Sequence, residues 1–512
     1  MGAPLRPMAA PVALLAMLMA PHAQADIKVV PAVALRATYT DNVRLEADAT
    51  KQGQFITELT PSVALTSDGP RLKLRASFAS HLFAYLGERL DGTRSNSREL
   101  SADARAKLID DLLFFDGAAS INQQNVSGFA PQVASNVYSS VNSNEVRTWR
   151  ASPYVKHRFG ASADAELRYA RDSVKSGNAS LGDSTADAVS LSIASGPLFR
   201  TVGWGLTASR QDIDDSLGRQ SRAENAELTL RLRVSSELSL TAAGGYDKYD
   251  FQGLGGKSAG SSRLVGLIWT PSLRTSVNAS VGKRFFGSSY ALTALHRSRR
   301  TVWNLNYSDG VTSSREQFLG TNQISTFDLL DNLFRANFPD AQERRQAVDA
   351  YIAATGLPPT LPDEVNYFGN RFLLQKQLQA AAAFNGARST AVLSLNATER
   401  RALSTPPSDS LQLGGGLPGF NDDTRQAAVT LAGNYRMSPR SGVNVLLSKT
   451  RIESLTTGAT GDQVLLTLAL VRQFQRSIKG SVELRHSQGT AAVSGGHTYR
   501  ENAISASLSY QL

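Results

Sequence analysis

Cysteine is absent from the 512 residues, which excludes disulfides, thiolate metal sites and cysteine nucleophiles together. Histidine is scarce: His22, His81, His157, His296, His486 and His497 stand singly, with no two at the spacing of metal ligands. Long apolar runs are missing as well. Beyond the first 25 residues the longest lies around Val464 to Val471, well short of the roughly 20 residues that carry a helix across a bilayer. Gly256-Lys-Ser258-Ala-Gly260 has the spacing of a nucleophile elbow, but that turn needs a strand entering it and a helix leaving it, and here the stretch reads as a Gly/Ser-rich loop between strands. A phosphate loop ending at Gly256-Lys257-Ser258 fails at position 251, which is Phe where the pattern requires Gly. No enzyme activity and no cofactor is expected. Clustered charge is missing too: 54 basic and 44 acidic residues give a net +10, yet the Arg and Lys alternate with aliphatics instead of forming the patch that nucleic acid needs.

What the chain has instead is alternation. In Arg71-Leu-Lys-Leu-Arg-Ala-Ser-Phe78 the apolar set is Leu72, Leu74, Ala76 and Phe78, and the opposite set is Arg71, Lys73, Arg75 and Ser77. A strand sends these sets to opposite faces, one suited to lipid and one to water. The same division recurs at 164–169, 227–234 and 478–485, as expected for transmembrane strands. Ile504-Ser-Ala-Ser-Leu508-Ser-Tyr510-Gln-Leu512 carries the pattern to the last residue. Leu508, Tyr510 and Leu512 there resemble the terminal signal by which outer-membrane barrels are recognised for assembly, with Leu in place of the more usual final Phe or Trp. At the other end, Arg6, the apolar stretch Met8 to Ala20 and Ala23-Gln24-Ala25 read as a signal peptide over residues 1–25.

Connections come in two alternating sizes. Short turns such as Ser67-Asp-Gly-Pro70, Asp110-Asp111, Phe159-Gly160 and Asn385-Gly386 alternate with long polar loops such as 40–54, 123–143 and 403–421, as when all tight turns face the periplasm. The expected class is all-β: over residues 26–512, one transmembrane antiparallel outer-membrane β-barrel of about 22 strands, 18 to 22 being compatible with the pattern. Phe83, Tyr85, Tyr246, Tyr249, Phe285 and Phe286 on the loop side, and Trp269 and Trp303 on the turn side, are expected to form interfacial girdles. The expected location is the outer membrane of a Gram-negative bacterium, the partners being its lipid and the barrel-assembly machinery.

One interruption breaks the rhythm. Residues 310–368 are too long for a simple connection, and a helix is expected from Pro339-Asp340 through Ala341, Val348, Tyr351 and Ile352 to Gly356. The segment either folds into the lumen or caps the outside. The residues expected to line the lumen are Arg71, Lys73, Arg75, Arg150, Lys156, Arg158, Arg168, Arg231, Arg233, Lys479 and Arg485, with Asp164, Glu166, Glu227 and Glu483 interspersed. Such a surface is either a neutralised, hydrated interior or a path that favours anions.

Tyr39-Thr-Asp41-Asn42-Val43, Glu58-Leu-Thr-Pro61, Asn304-Leu-Asn-Tyr307-Ser308 and Ile324-Ser-Thr-Phe-Asp-Leu-Leu-Asp331-Asn resemble a porin-type family of outer-membrane β-barrels associated with exopolysaccharide loci and the PEP-CTERM sorting system. The resemblance spans most of the chain and transfers no functional residue. It implies a conduit for a secreted, acidic polysaccharide working with a periplasmic polysaccharide-export protein. A general diffusion porin and a barrel that only displays its loops are the rival expectations.

Overall fold

The alternating segments are strands. The computed structural model describes residues 27–512 apart from 126, 133–137, 140–141, 177–182, 217–219, 252–255, 314, 317–318, 320–325, 336–343, 346, 349–351, 353–371, 404–422 and 493–495. The expected signal peptide therefore lies outside the described residues. In order the strands are β1 (Lys28–Thr40), β2 (Gln54–Asp68), β3 (Leu72–Tyr85), β4 (Asn96–Ile109), β5 (Leu113–Asn125), β6 (Ser143–Phe159), β7 (Ala163–Ser176), β8 (Ser184–Ser195), β9 (Val202–Asp215), β10 (Gln220–Arg233) and β11 (Leu238–Phe251). They continue as β12 (Gly256–Ser272), β13 (Thr275–Arg284), β14 (Gly287–Arg297), β15 (Thr301–Ser313), β16 (Phe372–Asn385), β17 (Ser389–Ala402), β18 (Thr424–Ser438), β19 (Ser441–Ser454), β20 (Thr460–Gln473), β21 (Ile478–Ala491) and β22 (His497–Gln511).

Each strand pairs antiparallel with its neighbours in sequence, and β1 closes on β22 with Ala32 opposite Gln511 and Thr40 opposite Ala503. Closure is what hydrocarbon demands, because an open edge would leave a row of unpaired N–H and C=O groups without water. The strand count agrees with the 22 expected from the turn spacing. Tight turns gather at one end, which sets that end as periplasmic. There Asp111 (φ 59°) and Gly160 (φ 56°) adopt the left-handed conformation that close hairpins need. β12 begins earlier than expected, so Gly256 to Gly260 lie within a paired strand, with Ser258 opposite Tyr249. This is no strand–turn–helix corner, and the elbow reading fails on backbone geometry.

The outer face is apolar over a continuous band. Leu35, Leu167, Val189, Leu230, Leu393, Leu468 and Leu484 all stand out from it with large exposed surfaces. Phe159, Trp269, Trp303, Tyr435 and Tyr510 ring it near the turn end, and Tyr39, Phe55, Tyr246 and Tyr290 ring it toward the loop end, the arrangement of interfacial aromatic girdles. Above the band the outward residues become charged: Lys248 pairs with Glu224 at 3.1 Å and Arg210 with Asp212 at 2.9 Å, so the strands continue beyond the lipid. Among the described residues no helix is long and apolar enough to cross a membrane; the strands do so. The protein is an outer-membrane β-barrel of the Gram-negative type.

Three of the expected girdle aromatics turn out to point inward. Phe83 packs under the β5–β6 connection with Val43, Ile56 and Tyr138, and Tyr85 lies against the same cluster. Tyr249 faces Phe285 and Phe372, with ring centroids 5.3 and 6.4 Å away. Position near a strand end selects an aromatic's depth, but only the parity of the strand selects its face.

Candidate functional site

The long interruption begins after Ser313, later than residue 310, and its described part lies inside the barrel. Its described helix α1 (Thr326–Phe334) presents Leu329, Leu330, Leu333 and Phe334 to Val302, Ala381, Ala383, Val392 and Ala432 on the inner faces of β15 to β18. Alanine on the wall lets a helix approach closely, and its methyl still removes apolar surface from water. Val348 and Ile352 pack into the same cluster, as expected from their spacing, whereas Ala341 and Tyr351 lie outside the described residues. Helix α1 itself was legible: Phe327, Leu330 and Phe334 recur at i, i+3 and i+7.

The described part of the insert packs on one side of the lumen. On the inner faces of β16 to β18, Gln375, Gln377, Gln379, Asn396, Thr398, Arg400, Gln426 and Thr430 are buried. Across the lumen the inward side chains of β4, including Asp103, Arg105 and Lys107, remain exposed. A second attachment ties the insert to that far wall. Arg315, immediately after β15, donates from Nη2 to Asp172 on β7 and from Nη1 to Ser184 on β8, and the ion pair is buried, with side chains 6% and 1% exposed.

Between the insert and the β3–β7 wall, toward the turn end, lies a cavity of about 750 Å³. Eight cationic and three anionic side chains line it: Arg71, Lys73, Arg75, Arg105, Lys107, Arg150, Arg168 and Arg345 against Asp68, Asp103 and Asp116. Phe327 of α1 forms part of its roof, its ring 5.8 Å from the Arg75 guanidinium. Some of the cations are neutralised. Arg168 reaches Asp116 and Glu166 at 2.9 Å each and lies 3.8 Å over the Tyr154 ring; Arg150 reaches Asp172 at 3.4 Å. Lys73, Arg105 and Lys107 make no ion pair among the described residues. Lys73 stands directly opposite Arg105 in the β3–β4 ladder, and the Lys107 N–H donates to the Arg71 carbonyl at 2.8 Å. Four cations thus share one block of wall, although like charges placed opposite one another oppose strand pairing.

The expected lumen residues divide accordingly. Arg71, Lys73, Arg75, Arg150 and Arg168 come together in this cavity, with Arg71 at its rim paired to Asp110 at 2.8 Å. Lys156 and Arg158 point inward lower on β6, paired with Glu166 at 3.1 Å and Asp164 at 2.7 Å. Arg231 lies beside Gly203 on β9, and Arg233 sits at the turn end, donating to the Ser235 carbonyl. Lys479 takes the inward parity of β21 near the turn end, away from the cavity. Arg485 is inward but buried near the outer mouth, 2.8 Å from Glu501 and 3.0 Å from the Tyr138 hydroxyl. The β5–β6 connection covers it by crossing to β20 and β22, where Gln463 donates to the Gln132 carbonyl and the Gln132 N–H to Tyr499 Oη. Burial pushes the Tyr138 phenol up to about 12, so it stays neutral beside Arg485. Leu508, Tyr510 and Leu512 all lie on the outward face, 52%, 43% and 72% exposed. Arg105 and Lys107 were missed, although Ser101-Ala-Asp103-Ala-Arg105-Ala-Lys107 alternates as clearly as β3 does. Phe327 and Arg345 carried no sequence signal for this cavity, since only the inward fold of the insert brings them there.

No protein-family model and no curated protein matches the chain. Solved structures to which it is similar include the FrpB iron transporter from Neisseria meningitidis, F5-1 variant (9% identity, covering 94% of this chain and 82% of that one, TM-score 0.48). Others are the siderophore receptors PirA from Pseudomonas aeruginosa (10% identity, 95% and 80% covered, TM-score 0.44) and PiuA from Acinetobacter baumannii (8% identity, 94% and 82% covered, TM-score 0.48).

Proposed function

We propose that the protein is a conduit for anionic solutes across the outer membrane, with the lumenal insert restricting passage. The observation that carries the reading is the cationic block of Arg71, Lys73, Arg105 and Lys107, three of them without a carboxylate partner among the described residues, lining the cavity opposite the described helix of the insert. A barrel of this strand number encloses more space than its own side chains fill, and a cationic excess in a confined space raises the local concentration of anions. The resemblance to exopolysaccharide-locus barrels makes an acidic polysaccharide, handed over by a periplasmic export protein, the cargo to test first.

Planar-bilayer recording tests the reading. Deleting residues 315–365 should raise single-channel conductance, and replacing Lys73, Arg105 and Lys107 together by Ser should lower the preference for anions. If wild type and deletion are both closed, the barrel is a loop-displaying scaffold and not a conduit. Loss of surface polysaccharide with periplasmic accumulation on gene deletion would identify the cargo; unchanged surface polymer would remove it.

A further inference from the structure

We infer that the junction between α1 and the β12–β13 turn is a binding site for a small polyvalent oxyanion, with the chemistry of phosphate or a phosphomonoester. A cavity of about 240 Å³ opens there at the turn end of the barrel, and Arg274, Arg297 and Arg335 converge on it. They come from three places: Arg274 from the turn, Arg297 from the end of β14, and Arg335 from the residue after α1.

Three features suit the junction to an anion. Arg297 Nη1 is buried and has no hydrogen-bond partner among the described residues, which is costly for a charged donor. Among the described residues, the charged groups that act on Arg297 are Arg274, Arg335 and Arg344, all cationic. Asp331 on α1 is already engaged, 2.8 Å from Arg344 and 3.8 Å from Arg335. Planar guanidinium forks suit the tetrahedral oxygens of phosphate and can donate to it in pairs. At the rim the Ser272 hydroxyl donates to Thr275 Oγ1 at 3.4 Å.

The site faces the lumen. Leu295 occupies the same face of β14 as Arg297, two residues away, and packs against the α1 cluster. The ligand therefore arrives as a solute from the periplasmic side, and once bound it bridges the insert to the wall. Nothing in this depends on conduction through the barrel, so the two readings stand or fall separately.

The test is calorimetric titration of the detergent-solubilised full chain with inorganic phosphate at low ionic strength, with chloride at matched ionic strength as control. Saturable binding near one phosphate per chain is expected, weakened at least about tenfold in Arg297→Gln and in Arg335→Gln through loss of a charge-assisted contact. Arg500→Gln, at the opposite mouth of the barrel, should bind as wild type. Heat-modifiable gel migration establishes that each variant is folded, and exposed Arg335 gives a substitution that spares the wall. Phosphate should also slow proteolysis of the insert in wild type and not in Arg335→Gln. Absence of saturable binding to folded wild type, or binding that survives both arginine substitutions, would overturn the inference.

Discussion

Asp172, 1% exposed, holds two guanidinium groups, Arg150 from the neighbouring strand and Arg315 from the insert. Truncating one partner of a buried pair leaves a charge without its counterion. Arg315→Ala should therefore loosen the outer attachment of the insert by about 3 kcal/mol, read as faster proteolysis of the insert while the barrel keeps its heat-modifiable migration. Glu316 follows it. Burial pushes the Glu316 carboxyl above the usual carboxylate range, and the Thr312 hydroxyl and Arg150 only partly offset this. A raised folded pKa contributes stability that is present in acid and lost as pH rises through the raised value. The insert should thus be held more firmly at acidic than at neutral pH, and Glu316→Gln should flatten the dependence. A wild-type proteolysis rate that falls as pH rises would contradict the assignment.

Helix α1 and β22 show two kinds of element. The strand is specified locally: each residue's face follows from its parity, so Leu508, Tyr510 and Leu512 could be placed outward before any partner was known. Tyr510→Asp with Leu512→Asp puts two charges on the lipid face, at up to a few kcal/mol each depending on depth, and should abolish outer-membrane insertion in a fractionation assay. Normal levels of the double variant would mean that the terminal strand is not the assembly signal. The helix depends on its surroundings. Leu330 is 0% exposed, and the cluster it joins includes Val302, Ala383 and Val392 from three adjacent wall strands, all more than 25 residues from it in sequence. Leu330→Asp should release α1 and raise conductance while leaving the barrel assembled, because burying an unpaired carboxylate against apolar wall is prohibitive. Helical spacing was present at 327–334, but spacing alone names no wall to pack on. Phe83 and Tyr85 face inward because they share the odd positions of β3 with Lys73 and Arg75, so the strand's own parity contained their direction and only depth near the strand end suggested a girdle.

At the scale of the whole molecule, closure and location follow from backbone chemistry. A chain whose strands alternate aliphatic with polar residues and leave no edge unpaired is stable in hydrocarbon, so heat-modifiable migration and recovery in the outer-membrane fraction are expected; recovery as a soluble periplasmic protein would refute the architecture. The sequence by itself determined the class, the strand number to within a hairpin or two, the turn and loop ends and the parity of most basic residues, because all of these are local consequences of a two-residue repeat and of turn chemistry. It did not determine what fills the lumen. The gathering of Arg71, Lys73, Arg105 and Lys107 opposite an off-centre helix depends on where a 58-residue connection between Ser313 and Phe372 comes to rest. So does the meeting of Arg274, Arg297 and Arg335. Both are products of contacts between segments tens to hundreds of residues apart, and no pattern along the chain encodes which of several inward faces a buried helix will choose.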